Sequence, residues 1–322
     1  MVYGTDSNSS DDFVNYGTLM TDANLQGGGE LTNDGTLYNS GLLENHYDMT
    51  NNGSLYNLAI LNNYWDLANN GSLYNYSGTL TNDGDYLTNA TNATLTNTSA
   101  GTLVNTLSGE LTNEGQLKNH GHLNNEATLK NNGTLTNYNG GTLTNEDTLT
   151  NTGTLSNDAA AMLENKAAGR LKNTGDLKNW GTLANRNGGT LTNETSGTLT
   201  NYDTLTSHGA IKNNGTVALL EIDTGGVLTN TGALNIWGTL ANRSGGRLTN
   251  DTSGTLTNYD TLTNNGWLSN YGTITNDTGV QLTNEGTLMN YDGGALTTKT
   301  PRNGRETAQK RRLHVGDAHE AN

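Results

Sequence analysis

Leu31-Thr32-Asn33-Asp34-Gly35-Thr36-Leu37-Tyr38-Asn39 contains one complete phrase, Leu-x-Asn-x-Gly-x, and the start of the next. From Leu31 to Leu296 an apolar residue, nearly always Leu, returns mostly every six residues and otherwise mostly every eight. A repeat this short is the signature of stacked coils, because one repeat cannot bury its apolar face without a neighbour. Period-two alternation sends Leu to one face of a short strand and its flanking residues to the other, as in Thr134-Leu135-Thr136. Asn, two positions after Leu, shares the inward face. There it can bond to its equivalent one coil above in an amide ladder, or take a left-handed corner conformation. Both roles require stacking. Gly then turns the chain without a Cβ penalty.

A helix is excluded, because Gly every six residues costs about 1 kcal/mol each relative to Ala, and Asn and Thr are weak helix formers. An antiparallel meander needs strands longer than three or four residues. The remaining reading is all-β: a single parallel β-solenoid, with three short sides and about 19 residues per coil.

Irregularities in the beat support this geometry. The step is six from Leu31 to Leu73, loosens to seven and eight up to Leu111, and mixes sixes and eights after Leu135. Extra residues fall beside the glycine, as in Asn137-Tyr138-Asn139-Gly140-Gly141-Thr142-Leu143, and never between Leu and Asn. Leu-x-Asn is therefore the constrained strand and the Gly half a turn that tolerates insertion. A longer echo joins Trp180-Gly181-Thr182-Leu183-Ala184-Asn185-Arg186 to Trp237-Gly238-Thr239-Leu240-Ala241-Asn242-Arg243, 57 residues on. Three coils of 19 account for that offset if duplication copies whole coils. With Ile222 counted as an inward residue, the interval holds nine phrases.

The phrase divides the chain into a leader or partial cap at 1–29, a solenoid domain at 30–298 and a disordered basic tail at 299–322. The tail holds Pro301, the only proline, and Lys299, Arg302, Arg305, Lys310, Arg311 and Arg312. Hydrophobic residues are 31% of the whole, too few for a thick core but enough for a thin column of leucines. The net charge of −15 disfavours nucleic acid and anionic membrane surfaces as partners. No stretch approaches a membrane-spanning length, and residues 1–16 lack the basic and apolar regions of a signal peptide. The absence of Cys leaves the compartment open.

Phrases such as Leu149-Thr150-Asn151-Thr152-Gly153-Thr154-Leu155-Ser156-Asn157 resemble the filamentous-haemagglutinin-like and autotransporter-passenger β-helices of bacterial surface adhesins. The resemblance covers Leu31 to Leu296. It implies a right-handed parallel β-helix, secreted or at the cell surface, with adhesive or structural work and a host or microbial glycan or protein as partner. Open parallel edges add end-to-end self-association into fibres as an alternative.

Catalytic chemistry does not stand out. His120-Gly121-His122 puts two imidazoles on one side but has no third ligand, so the plainer reading is exposed loop histidines. Pairs such as Asn33-Asp34 and Asn145-Glu146 lack the glycine-rich calcium nonapeptide and read as solvated acidic surface. The chain is thus read as non-enzymatic, with no metal and no cofactor. Aromatic residues favour the position after Asn: Tyr64, Tyr76, Tyr138, Trp180, Tyr202, Trp237, Tyr259, Tyr271 and Tyr291. Pointing outward beside the turn, they are candidate carbohydrate or partner contacts; the plainer reading is isolated rings that shield turn backbone. Thr-x-Thr arrays such as Thr79-Leu80-Thr81 and Thr255-Leu256-Thr257 raise ice binding as a further alternative. Because the triplets run on consecutive phrases, a three-sided coil spreads them over every face.

Overall fold

The computed structural model describes residues 2–3, 13–15, 17–21, 25–26, 29–106, 108–194, 196–201, 203–214 and 218–299. Among these there is no helix; the chain is a succession of strands of two to four residues. It divides into two compact units, residues 1–164 and 165–322. The expected disordered tail lies, beyond Lys299, outside the described residues. Within 1–29 the described strands Phe13–Asn15 and Thr18–Thr21 already pair in parallel with Leu31–Asn33 and Thr36–Asn39.

In residues 1–164 successive strands visit three parallel sheets in turn, which makes a β-solenoid with three sides. Thr36–Asn39, Ser54–Asn57 and Ser72–Asn75 lie side by side in the first sheet. Leu42–Asn45, Ile60–Asn63 and Thr79–Asn82 belong to the second. Met49–Asn51, Leu67–Asn69 and Tyr86–Asn89 belong to the third. Register is strict, Leu over Leu and Asn over Asn. The coil is 18 residues between Asn33 and Asn51 and widens to 24 between Asn89 and Asn113. Insertions occupy the corners, as the sequence predicts.

The interior holds two kinds of column. Leu37, Leu55, Leu73, Leu95, Leu117 and Leu135 are fully buried in one sheet, and the other two sheets match them. Beside each leucine column runs a column of buried asparagines. Each Asn Nδ2 donates to Oδ1 of the Asn one coil later, at 2.7 Å from Asn33 to Asn51 and from Asn51 to Asn69. The same Nδ2 also donates to the carbonyl of the first strand residue beyond the corner one coil later, Asn33 to Ser54 O at 3.0 Å. A buried polar side chain is tolerable only when its hydrogen bonds are made, and here the stack itself makes them. The ladder is therefore the role that Asn plays. The left-handed corner is not: among the described residues only Asn92 and Ala160 have positive φ without being Gly.

Gly has a different reason from the one expected. In six-residue corners its φ is not positive; coils simply approach too closely for a side chain. A Cβ on Gly133 would sit 2.2 Å from the Gly115 carbonyl oxygen, which is backbone and cannot move aside. Positive φ appears in the longer corners, as at Gly140 and Gly188.

The described residues from 165 to 299 repeat this plan, again with three parallel sheets. The first contains Thr198–Asn201, Leu219–Ile222 and Thr239–Asn242; the second Thr182–Asn185, Thr204–Ser207 and Val227–Asn230; the third Ala210–Asn213, Ala233–Ile236 and Thr255–Asn258. Ladder intervals run from 18 residues at Asn258–Asn276 to 22 at Asn179–Asn201. Each of the three ladders lacks its Asn once between residues 207 and 236, although at Ser207 the preceding rung persists, Asn185 Nδ2 donating to Ser207 Oγ at 3.2 Å. Ser207, Ile222 and Ile236 occupy the Asn place, one on each sheet, and all three are buried. Asn230 Oδ1 and Asn242 Oδ1, one coil beyond Ser207 and Ile222, are buried without a hydrogen bond.

This corrects the reading of the 57-residue echo. Ile222 belongs to an Asn column; the inward residue of its strand is Leu220. The interval from Leu183 to Leu240 therefore holds eight phrases, not nine, and does not close a whole number of coils. Thr182–Asn185 lies in the second sheet and its echo Thr239–Asn242 in the first.

Candidate functional site

Since the interior is taken up by Leu and Asn, surface chemistry resides in the residues before Leu, between Leu and Asn, and just after Asn. Each position recurs once per coil, so it builds a column at strand spacing, about 4.8 Å. In each unit the post-Asn position forms three such columns, one per corner; the described aromatic candidates fall at two corners in residues 1–164 and at three in residues 165–322 rather than gathering into one site.

In residues 1–164, Tyr76 and Tyr138 follow strands of the first sheet and Tyr64 follows a strand of the second. Tyr64 stacks on His46 (centroids 4.8 Å apart, planes within 12°) and Tyr138 on His120 (4.3 Å, 5°). Tyr76 is exposed. In residues 165–322, Trp180 follows a first-sheet strand and is partly exposed, while Tyr202 lies outside the described residues. Trp237 and Tyr259 follow consecutive third-sheet strands and stack at 4.8 Å with planes 5° apart. Tyr271 and Tyr291 do the same on the second sheet at 4.2 Å and 7°, and a hydrogen bond with Tyr291, then burial, holds the Tyr271 phenol above its ordinary range. Most of these rings are therefore not isolated. They are columns of two whose facing surfaces cover each other, a geometry that stacked aromatic pairs favour. The histidine partners share the tyrosines' position, His46 directly after Asn45 and His120 directly after Asn119.

A longer column was also missed. Tyr38, Tyr56 and Tyr74, between Leu and Asn on the first sheet, stack at 4.8 and 5.0 Å with planes 12° and 8° apart. Its signal was present: Leu-Tyr-Asn recurs twice at 18-residue intervals. Exposed Leu58 and Tyr76 occupy the adjoining corner. The neighbouring corner carries His46, Tyr47, Tyr64 and Trp65, with Tyr47 and Trp65 standing where Gly usually does.

The Thr-x-Thr pairs do lie on every sheet: Thr134 and Thr136 on the first, Thr79 and Thr81 on the second, Thr148 and Thr150 on the third. Register breaks their rows. Thr136 lies between Lys118 and Ser156, and Thr79 and Thr81 border Ile60 and Asn62. Among the described pairings, complete pairs meet only where Thr255 and Thr257 face Thr273 and Thr275. A two-coil patch offers no extended flat lattice to ice.

Charged groups are dispersed. Lys130 and Glu110 pair at 2.7 Å, and Lys299 and Asp277 at 3.4 Å. Asp66 is the exception: burial first, then Asp48 and Asp85, push its carboxyl above the usual range, and its Oδ1 has no hydrogen bond. His120 and His122 are not brought to a common ligand set, and among the described residues no group of three or more His, Asp or Glu could hold a metal. A shallow depression of about 230 Å³ is lined by Asp85, Tyr86, Ser108, Glu110 and Asp147 among others; its Glu110 is the residue tied to Lys130.

The haemagglutinin-repeat family model matches residues 4–57, 163–232 and 223–290, more than half of the chain. The chain is also similar to the crystal structure of a TibC-catalysed, hyper-glycosylated TibA fragment. That match is 16% identical, covers 93% of this chain and 95% of the other, and has a TM-score of 0.39. No curated protein matches.

Proposed function

We propose, from the premise that this chain belongs to the haemagglutinin-repeat family, that it is a non-enzymatic adhesive or structural solenoid working outside a bacterial cell, at its surface. The observation that carries this reading is the division of labour in the coil. Interior positions are used up by Leu and Asn columns, and the variable positions all face outward in repeating columns. Such a surface offers many weak, equivalent contacts rather than one cleft, which suits adhesion through multivalency. Stacked pairs such as Trp237–Tyr259 and Tyr271–Tyr291 are the contacts proposed for a surface glycan or protein, because each presents a rigid amphipathic edge at little entropic cost.

The test is binding of the purified chain to immobilised bacterial and host-cell surfaces and to a glycan array. Changing Trp237 and Tyr259, or Tyr271 and Tyr291, to Ala should lower binding while parallel-sheet circular dichroism persists. Undiminished binding in both double variants would remove the aromatic pairs from the mechanism.

A further inference from the structure

We infer that the column Tyr38–Tyr56–Tyr74 is a binding site for an extended, uncharged β-1,4-linked polysaccharide lying along the stack. The inference rests on the adhesive reading above and names a ligand class and a place for it.

Three observations carry it. First, the three rings repeat at 4.8 and 5.0 Å. An extended β-1,4-linked hexopyranose chain advances by close to this distance per sugar, so successive sugars meet successive tyrosines. Second, each rung offers the same polar pair. Thr36, Ser54 and Ser72 stand in register two residues before the tyrosines, on the same outward face and about 7 Å away along the strand, roughly the width of a pyranose. The rings shield one another's faces, so what they present is a row of edges and phenol hydroxyls. No hydrogen bond among the described residues engages the hydroxyls of Tyr56 and Tyr74. Third, the outward positions of this sheet from Thr36 to Thr96 carry no charge, in a chain of net charge −15. An uncharged strip on an acidic protein selects a neutral glycan and disfavours an anionic one.

The probes are cello- and chito-oligosaccharides of two to six sugars, with malto-oligosaccharides, which coil rather than extend, as the control. Titration by calorimetry or NMR should show affinity rising to about three or four sugars and then levelling, since only three rungs exist. Tyr56→Ala should weaken binding tenfold or more. Tyr56→Phe, which keeps the ring stack, should also weaken it, which separates a hydroxyl contact from a packing role. Absence of binding to both β-1,4 series, equal binding of malto-oligosaccharides, or full affinity in a Tyr38→Ala, Tyr56→Ala, Tyr74→Ala triple variant would overturn the assignment. Cell-surface binding that this triple variant abolishes but oligosaccharides cannot compete would overturn the glycan and point to a protein partner. Loss in the Trp237 and Tyr271 pair variants with none in the tyrosine triple would leave the adhesive reading standing and this one refuted.

Discussion

Replacing Asn131 by Ile would cut one rung from an intact ladder, and its cost can be worked from the bonds it makes. Asn131 Nδ2 donates to Asn151 Oδ1 at 2.6 Å, Thr154 O at 2.8 Å and Gly133 O at 3.3 Å, while its Oδ1 accepts from Asn113 Nδ2 at 2.7 Å. Asn113 loses least, because its amide still reaches Gly115 O and Thr134 O; that is one ordinary bond, about 1 kcal/mol. Asn151 Oδ1 is left buried without this donor, at about 1–3 kcal/mol, and the two carbonyls lose about 1 kcal/mol more between them. Burial of the isoleucine side chain returns roughly 2 kcal/mol. The net is about 1–3 kcal/mol of local destabilisation. Solenoid units open locally, so native-state hydrogen exchange of the strands Thr128–Asn131 and Thr148–Asn151 is the suitable assay. Exchange there should accelerate about 5- to 100-fold, following the rule of about 1.4 kcal/mol per tenfold. Asn131→Asp, with nearly the same shape but no donor and a buried charge, should exceed it at neutral pH. An acceleration under about threefold in the Ile variant would mean that the amide ladder fills space without stabilising, and the account of Asn given above would be wrong. The protein contains its own comparison: strands around Ile222 and Ile236 should already exchange faster than those around Asn131.

Two glycine substitutions should rank by geometry. Gly133→Ala drives a Cβ into the carbonyl of the previous coil and should lower the urea midpoint sharply, whereas Gly140→Ala meets no atom within 4 Å and costs only the strain of φ +81°, about 1 kcal/mol. Equal midpoints would refute the close-approach explanation. Asp66→Asn should stabilise the protein at neutral pH. The folded-state carboxyl is held above its ordinary range by burial and by Asp48 and Asp85, so its ionisation opposes folding above the folded pKa and the penalty is relieved as pH falls. The difference in melting temperature between variant and parent should therefore shrink in acid; a difference that grew there would reverse the sign of the argument.

Leu31 and Asn33 illustrate how much of this was readable. Two residues apart on a strand they must share a face, and a Leu every six or eight residues must stack, so the parallel solenoid follows from period alone, whereas its three sides rested on an echo of eight phrases that does not close whole coils. Whether Asn33 ladders or turns a corner depends on register with Asn51, a relation between coils that one phrase does not contain. Gly133 shows the same limit, since its reason is the carbonyl of Gly115 on another coil. Face assignment failed at Ile222 because two apolar residues, Leu220 and Ile222, compete for the inward position and only the strand register separates them. The described candidate aromatics lie beside turns, yet the pairing of Tyr64 with His46 and of Tyr138 with His120 and the division among corners emerge only from counting phrases accurately.

That count has a consequence of its own. All three interior columns ask for the same pair, Leu and Asn, so the core does not distinguish one side of the coil from another. The shift of Thr182–Asn185 and its echo Thr239–Asn242 onto different sheets shows that indifference in use. Gaining or losing one phrase turns everything after it by a third of a revolution, much as a triplet code changes frame, except that the meaning of the core survives. What changes is the compass bearing of each outward motif. A surface feature such as Trp-Gly-Thr-Leu-Ala-Asn-Arg is thus free to be copied and re-aimed without any redesign of the scaffold beneath it.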